Sequence, residues 1–220
     1  MPEYLYVTIS EIKERLNLEN NDQDRAWLDV ARSASRWVDD LTDHRFYATS
    51  DSDPNNPVPP TEVRYYSQDP SCDVLSLEID DFLSLTEVVT DANGDGTYEY
   101  TWATPTDYWL EPKNAPSKGR PYTTIHKASY GGRYWFPTYP NSVKVTGNFG
   151  YCTLANLPPQ IKTLAGLIAE MMGRSMLELN LPGVNSYQVG PDLRVTMSKD
   201  ELPLMARKII DLYRVPLFVV

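Results

Sequence analysis

The stretch 142–175, SVKVTGNFGYCTLANLPPQIKTLAGLIAEMMGRS, decides how the rest of the chain is read. Val143 and Val145 alternate with Lys144 and Thr146, the period-two pattern of a half-buried strand. Gly147 and Gly150 bracket Phe149, so the backbone can bend there through conformations closed to other residues. Pro158 and Pro159 suit a first helical turn, where a missing N–H costs nothing. Beyond them Ile161, Leu164, Ala165, Leu167, Ile168, Met171, Met172 and Met176 recur at helical spacing over two faces. A helix apolar on two sides needs a second partner. Ile161, Leu164, Ile168, Met171, Met172 and Met176 are therefore expected at the centre of the core or at an interface between copies.

The 220 residues suffice for one domain with an insertion, or for two small ones. At 41% hydrophobic the composition is that of an ordinary globular chain. No apolar run approaches the roughly 18 residues of a membrane span, and no membrane contact is expected. The opening MPEYLYVT lacks a basic region followed by an apolar one, so no signal peptide is visible. Cys72 and Cys152 are expected as free thiols in a reducing compartment.

The net charge of −10 is unevenly spread. Residues 1–60 carry 6 basic and 12 acidic side chains, 61–110 carry 1 and 11, 111–135 carry 5 and 1, and 136–220 carry 8 and 6. The segments sum to −6, −10, +4 and +2. Such a chain is no general nucleic-acid binder, because phosphate affinity needs a surplus of lysine and arginine. The polarity instead allows the acidic face of one copy to meet the basic face of the next, the competing reading being a solvated acidic surface.

Taken in order, Thr8-Ile9-Ser10-Glu11 is a capping box opening a helix to about Leu16. Asn21 and Asp22 cap a longer helix to about Asp43, with Trp27, Val30, Ala31, Ala34, Trp37, Val38 and Leu41 on its core stripe. Residues 48–60, ATSDSDPNNPVPP, read as a linker or mobile loop. Strands are expected at Glu62–Tyr66, Val74–Ile79, Leu85–Thr90, Tyr98–Thr101, Asp107–Leu110, Thr123–Lys127 and Ser142–Phe149. Turn signals at about ten-residue spacing point to a small antiparallel sandwich or barrel. A hairpin or loop is expected at Val184–Ser198, then a last helix from about Glu201 to Tyr213. Leu204, Met205, Ile209, Leu212 and Tyr213 form its apolar face, and an apolar tail, VPLFVV, follows it. The fold class is therefore α+β. A helical scaffold from 1–47 and 152–220 carries an inserted β-rich region, 61–151, after a linker at 48–60.

Two constellations stand out. Asp91, Asn93 and Asp95, with Gly96 after them, match the start of a calcium loop. Position twelve is Trp102 instead of glutamate, with Glu99 as a substitute ligand; the competing reading is a plain hairpin tip. Arg133, Tyr134 and Trp135 head an aromatic run ending at Tyr139, suited to stacking or to anchoring a partner, the competing reading being a long loop folded over its own sandwich. With Lys113, Lys118, Arg120 and Lys127 nearby, this is the one place where partner or DNA contact is expected. Catalytic signals are absent: neither His44 nor His126 has metal-ligand spacing, and no nucleophile elbow, phosphate loop or dinucleotide fingerprint occurs. The Asp39-Asp40 and Asp80-Asp81 pairs read as solvated neighbours. No cofactor and no enzymatic activity are expected.

Several motifs together resemble the head-to-tail connector (adaptor) proteins of tailed bacteriophages. They are the Y-V-T opening before the first helix and the A-W-L-x-x-A-R-x-A-S-R-W-V-D-D-L-T helix. Next come His44-Arg45-Phe46-Tyr47, the L-x-I-D-D-F-L-S-L-T segment at 77–86 and Tyr108-Trp109-Leu110-Glu111-Pro112. The G-N-F-G-Y junction leading to the double proline completes the set. The resemblance implies a structural virion protein of the neck, assembled in the host cytoplasm as a homo-oligomeric ring of about 12. It implies a portal protein above, a tail or stopper protein below, and DNA passing through the lumen without sequence-specific binding. Leu212, Tyr213, Arg214, Leu217 and Phe218 are then expected at the portal. The rival reading is a calcium-dependent or aromatic carbohydrate-binding module of a surface protein, built on Asp91, Asn93, Asp95 and the Tyr134–Tyr139 cluster.

Overall fold

A computed structural model of the chain describes residues 4–18, 24–51, 60–69, 75–128, 135–179 and 202–214. The chain divides into two compact units, 3–44 with 157–220 and 45–156. No described helix is long and apolar enough to cross a membrane.

The first unit is helical. Its α1 (Ile9–Leu16) opens with the capping box: Glu11 N–H donates to Thr8 Oγ1 at 3.2 Å, and Thr8 N–H to Glu11 Oε2 at 2.7 Å. It closes on Asn17 in the left-handed region, φ 54°. In α2 (Asp24–Thr42), Trp27, Ala31, Ala34 and Val38 are buried as expected, while Trp37, Val30 and Leu41 are half-buried. Ser35 and Thr42 complete the buried stripe because each hydroxyl returns to its own helix, donating to the carbonyls of Ala31 and Val38 at 2.7 Å. Ser35 Oγ also accepts from Tyr6 N–H, and Tyr6 Oη donates to Asp39 at 2.6 Å, which pins the buried Tyr6 and Val7 against α2.

Helix α3 (Pro159–Leu179) starts at the double proline and packs against α1, α2 and the last helix, α4 (Leu204–Tyr213). Ile161, Leu164, Ala165, Ile168 and Ala169 are wholly buried. Gly173 admits the close approach: a Cβ there would meet Leu16 Cδ1 at 2.7 Å and Trp27 Cζ3 at 2.9 Å. The expected copy-to-copy face therefore loses Ile161, Leu164 and Ile168. They have no surface left, because α1, α2 and α4 of the same chain already cover them.

The second unit is one antiparallel sheet in the order β1 (Glu62–Tyr66), β6 (Val143–Phe149), β2 (Ser76–Thr90), β5 (Tyr122–Lys127), β4 (Tyr108–Glu111). The short β3 (Tyr100–Thr101) pairs with the end of β2. The sheet is not closed: β1 and β4, the ends of this order, do not pair. The strands expected at 74–79 and 85–90 are one strand, since β2 runs through Asp80-Asp81. Its first half pairs with β5 and its second with β6, and register shifts at 78–82, 82–84 and 85–87 bend it between the two. One buried cluster gathers Leu77, Ile79, Phe82, Val88, Trp102, Tyr108, Ile125, Phe136, Val143, Val145 and Phe149. The rings of Trp102 and Phe136 stack at 4.5 Å, and Trp102 Nε1 donates to Thr90 Oγ1 at 3.0 Å.

The two glycines around Phe149 have different jobs. Gly150 takes φ 131°, and a Cβ would fall 2.1 Å from Tyr47 O. Gly147 has an ordinary conformation; it lets β2 approach, since a Cβ would meet Ser84 O at 2.6 Å. Residues 48–51, expected as the start of a linker, are fastened down. Thr49 N–H donates to Phe149 O at 2.8 Å, Ser50 N–H to Asn148 Oδ1 at 2.9 Å, and Asp51 Oδ2 accepts from Ala48 and Leu154 N–H. The rest of that stretch, 52–59, lies outside the described residues, as do the Asn21-Asp22 cap, Cys72, the 184–198 hairpin and the 215–220 tail.

Two substitutions test this packing. Leu164→Ala should lower unfolding free energy by about 2–5 kcal/mol, the cost of a core cavity. Gly150→Ala should cost at least about 2 kcal/mol, because strain and a backbone clash add. Both are read from urea denaturation of the full chain. A loss below about 1 kcal/mol in either would contradict the packing described.

Candidate docking surfaces

Helix α4 turns Ala206, Ile209 and Ile210 inward, together with Leu202 just ahead of it. Leu204, Met205 and Leu212, expected on the apolar face, are 63%, 57% and 67% exposed. At about 100° per residue these three share one side with Lys208, so the apolar stripe open to a partner belongs to α4. On α3, Met171, Met172 and Met176 keep part of their surface and Leu177 is exposed. Tyr213 Oη reaches Gln160 Oε1 at 3.4 Å, and Arg214 is exposed. Leu217 and Phe218 lie outside the described residues, as do Arg133 and Tyr134.

In the sheet unit, Trp135 is 63% exposed, with Lys127 Nζ 4.1 Å from its ring centre. Lys113, Lys118 and Arg120 are exposed on the turn between β4 and β5. On the same unit Val63, Tyr65 and Tyr100 are exposed large side chains, and Tyr65 lies 6.2 Å from Tyr98.

The loop after β2 closes on Asp91, which is 4% exposed. Its Oδ1 accepts from Asn93 and Gly94 N–H and its Oδ2 from Gly96 N–H at 2.8 Å. Gly94 and Gly96 take φ 77° and 87°, as Asn-Gly and Asp-Gly turns require. Carboxylate oxygens of Asp91, Asp95 and Glu99 lie within 4.8 Å of one another. Asn93 bonds to Asp95 through both ends of its amide, so its oxygen is already engaged. The Tyr139 ring rests on this loop, 3.2 Å from where a Gly94 Cβ would stand.

Sequence reasoning missed a polar network on the sheet. Glu62 accepts from Arg45 at 3.1 Å and Arg64 at 2.9 Å; Arg64 also bonds to Asp80 at 2.7 Å and lies 4.3 Å over the Phe149 ring. Tyr66 Oη donates to Asp80 at 2.8 Å. Asp80, read as solvated, is thus ion-paired, and Asp39 likewise pairs with Arg36. Period-two alternation in Glu62-Val63-Arg64-Tyr65-Tyr66 places Glu62, Arg64 and Tyr66 on one side. It does not reveal that Asp80 and Arg45 come to meet them. Burial raises the Glu62 carboxyl, but the Arg64 hydrogen bond and the charges of Arg45 and Arg64 outweigh it and hold the group below its usual range. Burial pushes the Cys152 thiol up to about 12, helped by Asp51 and Asp81.

No protein-family model matches the sequence, and no curated protein matches it. The fold, however, is found in solved structures. One is the virion of a native gene transfer agent (GTA) particle, with TM-score 0.52, 17% identity, and 94% of this chain and 88% of that one covered. The neck of an empty GTA particle computed with C6 symmetry gives 0.53, 16%, 94% and 88%. The neck of the native particle computed with C12 symmetry gives 0.51, 16%, 94% and 87%. The chain shares its fold with chains of these particles. That agrees with the connector resemblance seen in its motifs.

Two measurements test the side-chain arrangement. The Glu62 carboxyl is lowered on folding, so its stabilisation is present above the ordinary glutamate pKa and is lost as pH falls through the lowered folded value. Glu62→Gln should therefore flatten the acid limb of the stability–pH curve and leave its shape above about pH 6 unaltered. Asp91→Ala should cost about 1–2 kcal/mol, since three N–H groups lose their acceptor but remain near water. If the loop holds calcium, millimolar calcium raises the melting temperature of the parent chain and not of the variant.

Proposed function

We propose that the protein is a structural component of the neck of a phage-like particle, a head-to-tail adaptor. In this reading it forms a ring of about 12 copies beneath the portal. A tail or stopper protein docks below, DNA passes through the lumen, and assembly takes place in the host cytoplasm. The observation that carries it is the fold shared over 94% of the chain with chains of GTA neck structures. The apolar stripe of α4 supports it: Leu204, Met205 and Leu212 form an exposed face of the kind that marks interaction sites. Under this proposal the partly exposed Met171, Met172 and Met176 lie at copy-to-copy contacts. Leu212, Tyr213 and Arg214, with Leu217 and Phe218 beyond them, reach the portal. An acidic protein around a duplex also favours sliding, because like charge removes the drive from counterion release.

One observation favours the second reading, a calcium-dependent or aromatic carbohydrate-binding module. Tyr139 of the aromatic segment lies on the Asp91–Asp95 loop. The calcium titration above discriminates, and a module of this kind would also be retained on a polysaccharide column.

The ring is tested by cryo-electron microscopy of purified particles, where about twelve copies should sit between capsid and tail. A chain absent from purified particles would reject it. Removal of 214–220 should abolish co-sedimentation with the portal protein, with the melting temperature as folding control. Docking that survives the truncation places the portal contact elsewhere on the chain.

A further inference from the structure

The turn between β4 and β5 is the basic feature of an acidic unit. Lys113, Lys118 and Arg120 are exposed there, and none has an ionic partner among the described residues. The turn is stiff. Lys118 and Arg120 N–H both donate to Ala115 O at 3.0 Å, Gly119 N–H donates to Pro116 O at 3.1 Å, and Ser117 Oγ donates to Asn114 O at 2.9 Å. Ala115 is buried beneath it, and Pro112, Pro116 and Pro121 restrict three φ angles. Cations held this way lose little conformational freedom when a partner arrives.

Its complement lies on the same unit. Asp91, Asp95 and Glu99 bring carboxylate oxygens within 4.8 Å of one another. The hydrogen bonds they accept come from neutral groups: backbone N–H of Ala92, Asn93, Gly94, Gly96 and Thr97, and the Asn93 amide. Like charges so close repel, and any cation placed among them relieves it. Tyr139, 48% exposed with its ring against Gly94, adds a platform for lysine or arginine.

The sheet order keeps the two features apart. The basic turn joins β4, one free edge, to β5, whereas the acidic loop leaves the middle strand β2 and rests its Tyr98 on Tyr65 of β1. Complementary patches carried by different strands, unpaired within a copy, suit a head-to-tail interface, which closes into a ring when the rotation permits. The neck structures with this fold were computed with C6 and C12 symmetry. We infer that Lys113, Lys118 and Arg120 of one copy dock on the Asp91–Asp95–Glu99 loop of the next. This rests on the ring proposed above and assigns one contact within it. Nucleic acid is the other anion such a turn meets, but residues 61–110 of the same unit carry 1 basic and 11 acidic side chains, which repel phosphate.

The test is charge exchange in the full chain, read by sedimentation velocity below about 50 mM salt, where screening is weak. Lys118→Glu with Arg120→Glu should weaken self-association about tenfold or more, and so should Asp95→Lys with Glu99→Lys. Mixing the two variants should restore association, and so should all four changes in one chain. Melting temperatures serve as folding control, since all four side chains are exposed. Association unmoved by either variant overturns the inference, as does failure of the mixture to recover or a parent chain that stays monomeric. Loss of duplex-DNA retention in the turn variant with association intact assigns the turn to nucleic acid instead. Rings of normal size on particles built from the turn variant sink this contact and leave the ring standing. Absence of the parent chain from particle necks sinks the ring itself.

Discussion

Everything in the helical unit depends on how closely α3 is packed. Three helices of the same chain bury Ile161, Leu164, Ala165, Ile168 and Ala169 completely. The fit needs small residues at the contacts: at Gly173 even a methyl group would collide with Leu16 and Trp27. Each large aliphatic side chain so buried contributes about 1.5–3 kcal/mol, so this seam accounts for much of the unit's stability. It also decides where a partner can bind. With that face of α3 sheltered by its own chain, the open apolar surface is left to α4 and to the methionines and Leu177 of α3.

The sheet unit is organised by β2, fifteen residues long and shared between partners. A straight strand of that length would present one flat face. The register shifts along it bend the strand so that β5 takes one half and β6 the other, and the unit buries a cluster of eleven residues. Polar groups finish the job at the β1 side, where Glu62, Arg64, Asp80, Tyr66 and Arg45 satisfy one another in a partly exposed network. Exposed pairs of this kind contribute modestly to stability. Their greater effect is to hold β1 and the 45–51 segment in register with β6.

The two units carry different kinds of surface. The helical unit offers an apolar stripe, which suits a dry and lasting contact. The sheet unit offers separated charges of opposite sign, which speed encounter and set register more than they add affinity. The ring proposed above has use for both.

Local signals in the sequence determined the elements. The Thr8–Glu11 capping box, the proline start of α3, and the alternation in β1 and β6 each act over a few residues, so spacing alone revealed them. The Asn-Gly and Asp-Gly turn after β2 was equally legible, because only its own backbone needs the positive φ. Tertiary structure decided everything that depends on which faces meet. Spacing alone did not tell a helix wrapped by its own chain from one wrapped by a neighbour, because both need the same apolar residues. Nor did it show that 74–79 and 85–90 are one bent strand, since Asp80 and Asp81 read as solvated neighbours until Arg64 and Tyr66 are seen bonding Asp80. Separation of the basic turn from the acidic loop likewise follows from strand order, which is a property of pairing between distant segments and leaves no mark in local sequence.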